Sequence, residues 1–303
     1  MNHHIEGLVA ATHTPFRADG GLEPAAVEGQ AAHLHAQGIR TVFVGGSTGE
    51  CHSLAVEERL LLAARWAEVV RGTGMRLVVH VGSNCLADSR RLATQAAGLG
   101  AVAISALAPS YFKPATVDTL VACCASVAGA APETPFYYYD IPALTGVSLP
   151  MPRFLELAGD RIPSLAGIKF TNVDFASYQI CREAAGGRFD ILWGVDEMLL
   201  AALATGAAGA VGSTYNFAAS ISHAIIDAFR RGDLETARRE QRRSVALVHT
   251  LAKRGYLASA KALMGMRGVD VGPPRLPNTG LTAGEIESLR GELESLDIAG
   301  IPA

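Results

Sequence analysis

Lysine is scarce in this chain: of 26 basic residues among 303, only Lys113, Lys169, Lys253 and Lys261 are lysines. A chain that prefers arginine so strongly invites a reason wherever it places an amine. Excess charge is also missing. A net charge of -3 gives no electrostatic cause to expect nucleic acid or an anionic membrane, and a small-molecule partner is expected instead. Cysteine is sparse and unpaired. Cys51, Cys85, Cys123, Cys124 and Cys181 show no paired spacing, which excludes a disulfide framework or a zinc ribbon and fits a reducing cytoplasm. No long apolar run is present: the stretch from Met198 to Gly212 is built from Ala and Gly and is too short to span a bilayer. Met1 to Gly7, with His3 and His4, is polar and reads as neither a signal nor a transit peptide. No G-x-G-x-x-G follows the first apolar run, and G-x-x-x-x-G-K-[ST] and H-E-x-x-H are absent, so nucleotide and zinc chemistry lose their usual carriers. No metal and no cofactor are expected.

What is present is repetition. Eight short apolar runs start at Gly7, Arg40, Arg76, Ala101, Pro135, Leu165, Asp190 and Gly209, and stretches of helical periodicity such as Ala55 to Val70, Leu86 to Ala97 and Asp174 to Ala185 lie between them. With 49% hydrophobic residues the chain can fill a large core. Eight strand-helix repeats predict an α/β protein, a (β/α)8 TIM barrel over residues 1–230. The remaining residues, 231–303, carry helical pattern over Leu234 to Lys253, Leu257 to Met266 and Thr282 to Leu296, too much for one closing helix, and predict a C-terminal helical extension. Gly272 to Pro277 reads as a rigid turn between the last helices.

In such a barrel, chemistry belongs where strands end. The second strand ends in Gly45-Gly46-Ser47-Thr48-Gly49-Glu50, either a structural turn or a loop whose N-H groups and hydroxyls hold a carboxylate. The sixth strand carries Lys169 between Ile168 and Phe170 near its C-terminal end. A snorkelling or ion-paired lysine is the bland reading. The functional reading is a nucleophile. At the ordinary lysine pKa about one amine in 2,500 is neutral at pH 7, whereas a desolvated one is largely so, and arginine cannot be tuned this way. Tyr139 ends the fifth strand beside it, placed to move protons, while at least one of Tyr137 and Tyr138 is expected in the core. His80 reads as a satisfied core histidine, and His33 and His35, two apart on a helix, do not share a face. Asp196 and Glu197, after the seventh strand, either open a helix or accept hydrogen bonds from substrate hydroxyls.

Taken in order, Thr14-Pro15-Phe16, Gly46 to Glu50, Tyr139-Asp140-Ile141-Pro142, Gly167-Ile168-Lys169, Gly194-Val195-Asp196-Glu197 and Gly212 to Asn216 resemble the pyruvate-dependent class I aldolase family that includes dihydrodipicolinate synthase and N-acetylneuraminate lyase. The resemblance implies that Lys169 forms a Schiff base with a 2-keto carbon, that Tyr139 relays protons with Ser47, and that Ser47 and Thr48 hold the carboxylate. It further implies substrate contacts from Thr171, Gly194, Asp196, Glu197 and Ser213. Tyr111 resembles the tyrosine that family members insert into a neighbouring subunit's site, which implies a homotetramer. Asp140 departs from the pattern, where many members carry Asn. Ala143-Leu144-Thr145-Gly146 lacks the arginine of the synthase branch and resembles the lyase branch, implying cleavage of sialic acid to N-acetylmannosamine and pyruvate. Two alternatives stay open: another 2-keto-3-deoxy sugar acid aldolase or dehydratase, and a sialate or pyruvate binding regulator without turnover.

Overall fold

The computed structural model describes residues 4–296, so the outermost residues of both expected parts, 1–3 and 297–303, lie outside the described residues. Eight parallel strands, β1 (Gly7–Ala11), β2 (Thr41–Val44), β3 (Arg76–His80), β4 (Ala103–Leu107), β5 (Phe136–Asp140), β6 (Leu165–Phe170), β7 (Asp190–Trp193) and β8 (Gly209–Gly212), pair in sequence order. β1 pairs with β8 and closes the barrel. All eight expected strands form. The fourth begins two residues later than the apolar run suggests, because the Ala101 N-H is still bonded to the Ala96 carbonyl of the preceding helix end.

Twelve helices accompany them among the described residues: α1 (Ala26–Ala36), α2 (Val56–Val70), α3 (Leu86–Gly98), α4 (Val117–Ala128), α5 (Pro142–Thr145), α6 (Met151–Arg161), α7 (Phe175–Glu183), α8 (Leu199–Ala204), α9 (Ala219–Arg230), α10 (Leu234–Ala252), α11 (Tyr256–Met266) and α12 (Ala283–Ser295). The last three are the expected extension. None of the described helices is long and apolar enough to cross a membrane.

Strand alternation decides which side chains reach the barrel interior. In β5, Tyr137 and Tyr139 point inward with Val9, Phe43 and Leu192, whereas Tyr138 points outward onto Phe154 of α6, ring centroids 4.8 Å apart. The inward Tyr137 hydroxyl donates to Asp190 Oδ2 at 2.8 Å, which also accepts the Ile5 N-H at 2.8 Å. In β6 the same alternation sends Phe170 outward against Tyr178 (5.4 Å) and Trp193 (6.3 Å), with Phe175 stacked on Trp193 at 4.5 Å. Each such aromatic pair contributes about 0.5–1.5 kcal/mol beyond its buried area. The cluster clamps β6 between β7 and α7 and fixes the inward direction of the neighbouring Lys169.

The extension folds back over the barrel mouth. From α10, Gln241 Oε1 accepts the Leu200 N-H at 2.7 Å and the Ser244 hydroxyl donates to the Asp196 carbonyl at 3.4 Å. Beyond α11, the turn predicted at Gly272 to Pro277 docks on the end of the Gly-rich β2 loop: the Arg275 N-H donates to Glu50 Oε2 at 2.8 Å, and its guanidinium grips Glu58 and the carbonyls of Ser53 and Gly20.

Candidate active site

β5 and β6 are hydrogen-bonded neighbours with Tyr139 opposite Lys169, so the phenol and the amine enter one space from adjacent strands. That space is a cavity of about 310 Å³ at the C-terminal end of the barrel. Nine of the ten residues singled out in the sequence line it: Lys169, Tyr139, Ser47, Thr48, Thr171, Gly194, Asp196, Glu197 and Ser213. Tyr111 does not. Its ring is 78% exposed and packs edge-on against Phe112, itself 86% exposed, with Asn84 Oδ1 accepting the Ser110 and Tyr111 N-H groups.

Lys169 is 4% exposed. Its Nζ lies 3.9 Å from the Tyr139 ring centroid and 4.2 Å from that of Phe43, and among the described residues no carboxylate comes within salt-bridge distance. Desolvation dominates, and Asp196 and Cys51 only partly oppose it, so the amine pKa falls to about 7. Near neutral pH roughly half of the amine is then uncharged and able to attack a carbonyl. Tyr139 moves the other way: burial raises the phenol to about 12, although its hydroxyl donates to Ser47 Oγ at 3.4 Å. At rest the phenol is protonated.

The β2 loop that carries Ser47 and Thr48 opens at Gly45 in a left-handed conformation, φ 71°, which favours glycine. Its first carbonyl bonds to the His80 ring at 2.9 Å, and the Leu107 N-H donates to the other ring nitrogen at 3.3 Å. His80 is thus the satisfied core histidine that its position in a strand predicts. His33 likewise meets a backbone carbonyl, that of Asn216, at 2.9 Å.

The two acids are not equivalent. Asp196 is buried, and its Oδ2 accepts the Thr214 N-H (2.8 Å) and hydroxyl (2.7 Å), tying the end of β7 to the end of β8. Gly212 makes room for it: a Cβ there would lie 1.8 Å from Asp196 Oδ1. Glu197 is half-buried on the cavity wall, with burial holding its carboxyl above the usual range. Asp140 does not line the cavity. Its carboxyl accepts from Asn172 at 3.2 Å, and burial raises it to about 6.

Sequence reasoning missed Val248 and Tyr256, which reach the cavity from α10 and α11. The Tyr256 hydroxyl lies 2.7 Å from Ser213 Oγ. No local pattern marks either residue, because both are brought in by the fold-back of the extension. Among the described residues no group of three or more His, Cys, Asp or Glu side chains is placed to hold a metal ion.

Comparison with known proteins agrees with this geometry. The model of the dihydrodipicolinate synthetase family matches residues 4–296. N-acetylneuraminate lyase of Gallus gallus is 39% identical over 296 residues, covering 96% of both chains. N-acetylneuraminate lyase A of Xenopus laevis is 42% identical over 276 residues, covering 90% of each. The solved structure of Proteus mirabilis N-acetylneuraminate lyase superposes with a TM-score of 0.95 at 39% identity, covering 97% of this chain and 99% of that one.

Proposed function

The chain belongs to the dihydrodipicolinate synthetase family, and from that premise we infer that it is a class I pyruvate aldolase that reversibly cleaves N-acetylneuraminate to N-acetylmannosamine and pyruvate. The observation that carries the mechanism is Lys169, a buried amine without a carboxylate partner among the described residues, held at the end of β6 with a pKa of about 7 and facing Tyr139.

The neutral Lys169 amine attacks the 2-keto carbon of the open-chain sugar acid, and loss of water leaves a protonated imine. Ser47 and Thr48 on the Gly-rich loop hold the adjacent carboxylate. Tyr139 accepts the proton of the hydroxyl two carbons from the imine carbon while passing its own to Ser47, which gives up its hydroxyl proton to the substrate carboxylate, a relay that suits a phenol that is protonated at rest. The carbon-carbon bond beside that hydroxyl then breaks, its electron pair moves onto the imine nitrogen to give an enamine, and the sugar leaves as an aldehyde. Protonation of the enamine carbon and hydrolysis release pyruvate and restore the amine. Thr171, Gly194, Glu197 and Ser213 line the part of the cavity that takes the sugar chain, with Asp196 bracing its wall.

The exposed Tyr111–Phe112 pair supports a homotetramer in which this loop packs against a neighbouring subunit, and five unpaired cysteines support a reducing, cytoplasmic setting. Light scattering at assay concentration tests the first: a fully active monomer excludes a role for Tyr111 across subunits. For the reaction itself, incubation with N-acetylneuraminate should release pyruvate and N-acetylmannosamine in equal amounts. No pyruvate from this substrate, with pyruvate from a 2-keto-3-deoxy sugar acid instead, reassigns the substrate and leaves the imine chemistry standing.

A further inference from the structure

The catalytic pair rests on supports of its own, and one side chain touches two of them. His80, the last residue of β3, is 1% exposed. Its Nε2 accepts the Leu107 N-H at 3.3 Å, and the Gly45 carbonyl, which can only accept, lies 2.9 Å from Nδ1, a shorter contact than the 3.4 Å from the Arg59 guanidinium to the same atom; together these assign the ring proton to Nδ1, donated to Gly45. Gly45 begins the loop that bears Ser47 and Thr48. The same ring meets the Tyr139 ring edge-to-face at 5.8 Å and 87°, and lies 6.0 Å from that of Phe43, one of the two rings against Lys169. Behind it the buried Arg59 donates to the carbonyls of His80 and Gly82, both at 2.8 Å, so the strand end that carries the histidine is itself fixed. Gly82 allows this close packing, since a Cβ there would lie 2.9 Å from His80 Nε2.

We propose that His80 is a positioning residue of the aldolase reaction: its Nδ1-H bond to the Gly45 carbonyl sets the carboxylate-binding loop, and its perpendicular ring contact sets the Tyr139 phenol against Ser47. This rests on the imine mechanism proposed above. Burial, with Arg59 adding to it, keeps the ring neutral and therefore in the one-donor, one-acceptor form that the two bonds require. Sequence position alone gives a bland core histidine; the loop contact gives it a task.

Two near-isosteric changes separate the task from mere packing. In His80→Asn the amide nitrogen overlays Nδ1 and keeps the donor to Gly45 but strands the Leu107 N-H. In His80→Gln the amide overlays Nε2, so the Leu107 contact is kept and the Gly45 bond is lost. Borohydride trapping of the pyruvate imine at Lys169 reads carboxylate binding directly. Trapping by the unaltered protein tests the imine mechanism itself, independently of the variants. The pyruvate concentration for half-maximal trapping should rise about tenfold or more in His80→Gln and stay within about twofold in His80→Asn, the size expected for one lost hydrogen bond. Both variants should melt at lower temperature than the parent. Half-saturation that is unchanged in His80→Gln, or that rises equally in both, overturns the proposal. Should either variant fail to fold, the imidazole nitrogen-15 shifts of the unaltered protein read the same bond. An Nδ1-H tautomer that persists from about pH 5 to 8 and shifts on pyruvate binding is expected. An Nε2-H tautomer, or a ring blind to pyruvate, overturns the assignment.

Discussion

Lys169 and Lys261 are both buried, at 4% and 3% exposure, yet the molecule answers the same burial in opposite ways. Lys261, in α11, ion-pairs with Glu50 at 2.8 Å, donates to the Pro273 carbonyl at 3.0 Å and sits over the Phe16 ring at 4.3 Å. Burial lowers its pKa and Glu50 opposes that fall, and the pair forms a strut between the C-terminal turn and the β2 loop. Lys169 has aromatic rings on two sides and the carboxylate of Asp196 only at a distance, so desolvation prevails. Burial does not by itself make an amine nucleophilic. Withholding the ion pair does.

The largest expected effect tests that contrast at Lys169. Lys169→Met should abolish turnover, a loss on the order of 10⁶-fold if the residue is the covalent nucleophile. The same change should raise the melting temperature, because a buried, incompletely compensated amine is removed and a methionine fits among the rings. The sign follows from proton linkage. The folded pKa, about 7, lies below the unfolded value near 10.4, so between these values the unfolded chain binds a proton that the folded chain does not, and stability rises with pH across that window. The stability gain of Lys169→Met over the parent should therefore be greatest below pH 7 and shrink toward pH 10. Thermal melts across that range check it.

Lys261→Met should do the reverse. Breaking a buried pair leaves Glu50 unpaired and costs about 3–5 kcal/mol, while Glu50→Gln combined with Lys261→Met should recover much of it. Chemical denaturation of the singles and the double measures the coupling. Equal melting shifts for the Lys169 and Lys261 variants would erase the distinction between the two amines.

A finer contrast lies between the adjacent acids. Asp196→Asn should lower stability by about 1–3 kcal/mol, since Thr214 loses a charged acceptor. Glu197→Gln should instead reduce turnover of N-acetylneuraminate by roughly ten- to a hundredfold relative to a short 2-keto acid lacking the hydroxylated tail. Its melting temperature should hardly move. If the two variants exchange these phenotypes, Asp196 is the substrate acceptor.

The smallest effect is on rate against pH. Imine formation with pyruvate should rise through about pH 7 and level off above it, where an unperturbed lysine would still be climbing toward pH 10. Rapid-quench trapping resolves the two curves.

Local sequence pattern carries much of this architecture. The short apolar runs announce all eight strands, and strand ends at Ser47, Tyr139, Lys169, Gly194 and Ser213 converge because a parallel barrel gathers every C-terminal strand end on one face. Asp196 and Glu197 read alike in sequence. Only the close approach at Gly212 and the Thr214 bonds distinguish their settings. Tyr256 and Val248 bear no such mark, since nothing in the periodicity of α10 and α11 says that these helices return to the mouth. The partner of Lys261 is equally hidden, for Glu50 lies 211 positions away in sequence and is met only through tertiary packing. Local pattern speaks for elements and strand ends; long-range closure decides which buried charge is answered.

The central claim is that Lys169, and no other lysine, is the imine-forming amine. Pyruvate with borohydride, followed by peptide mass mapping, tests it on the unaltered protein, whose four lysines are few enough to resolve individually. A reduced three-carbon adduct on Lys169 alone is the predicted result. An adduct on Lys113, Lys253 or Lys261, or none at all under conditions in which N-acetylneuraminate is cleaved, contradicts the account.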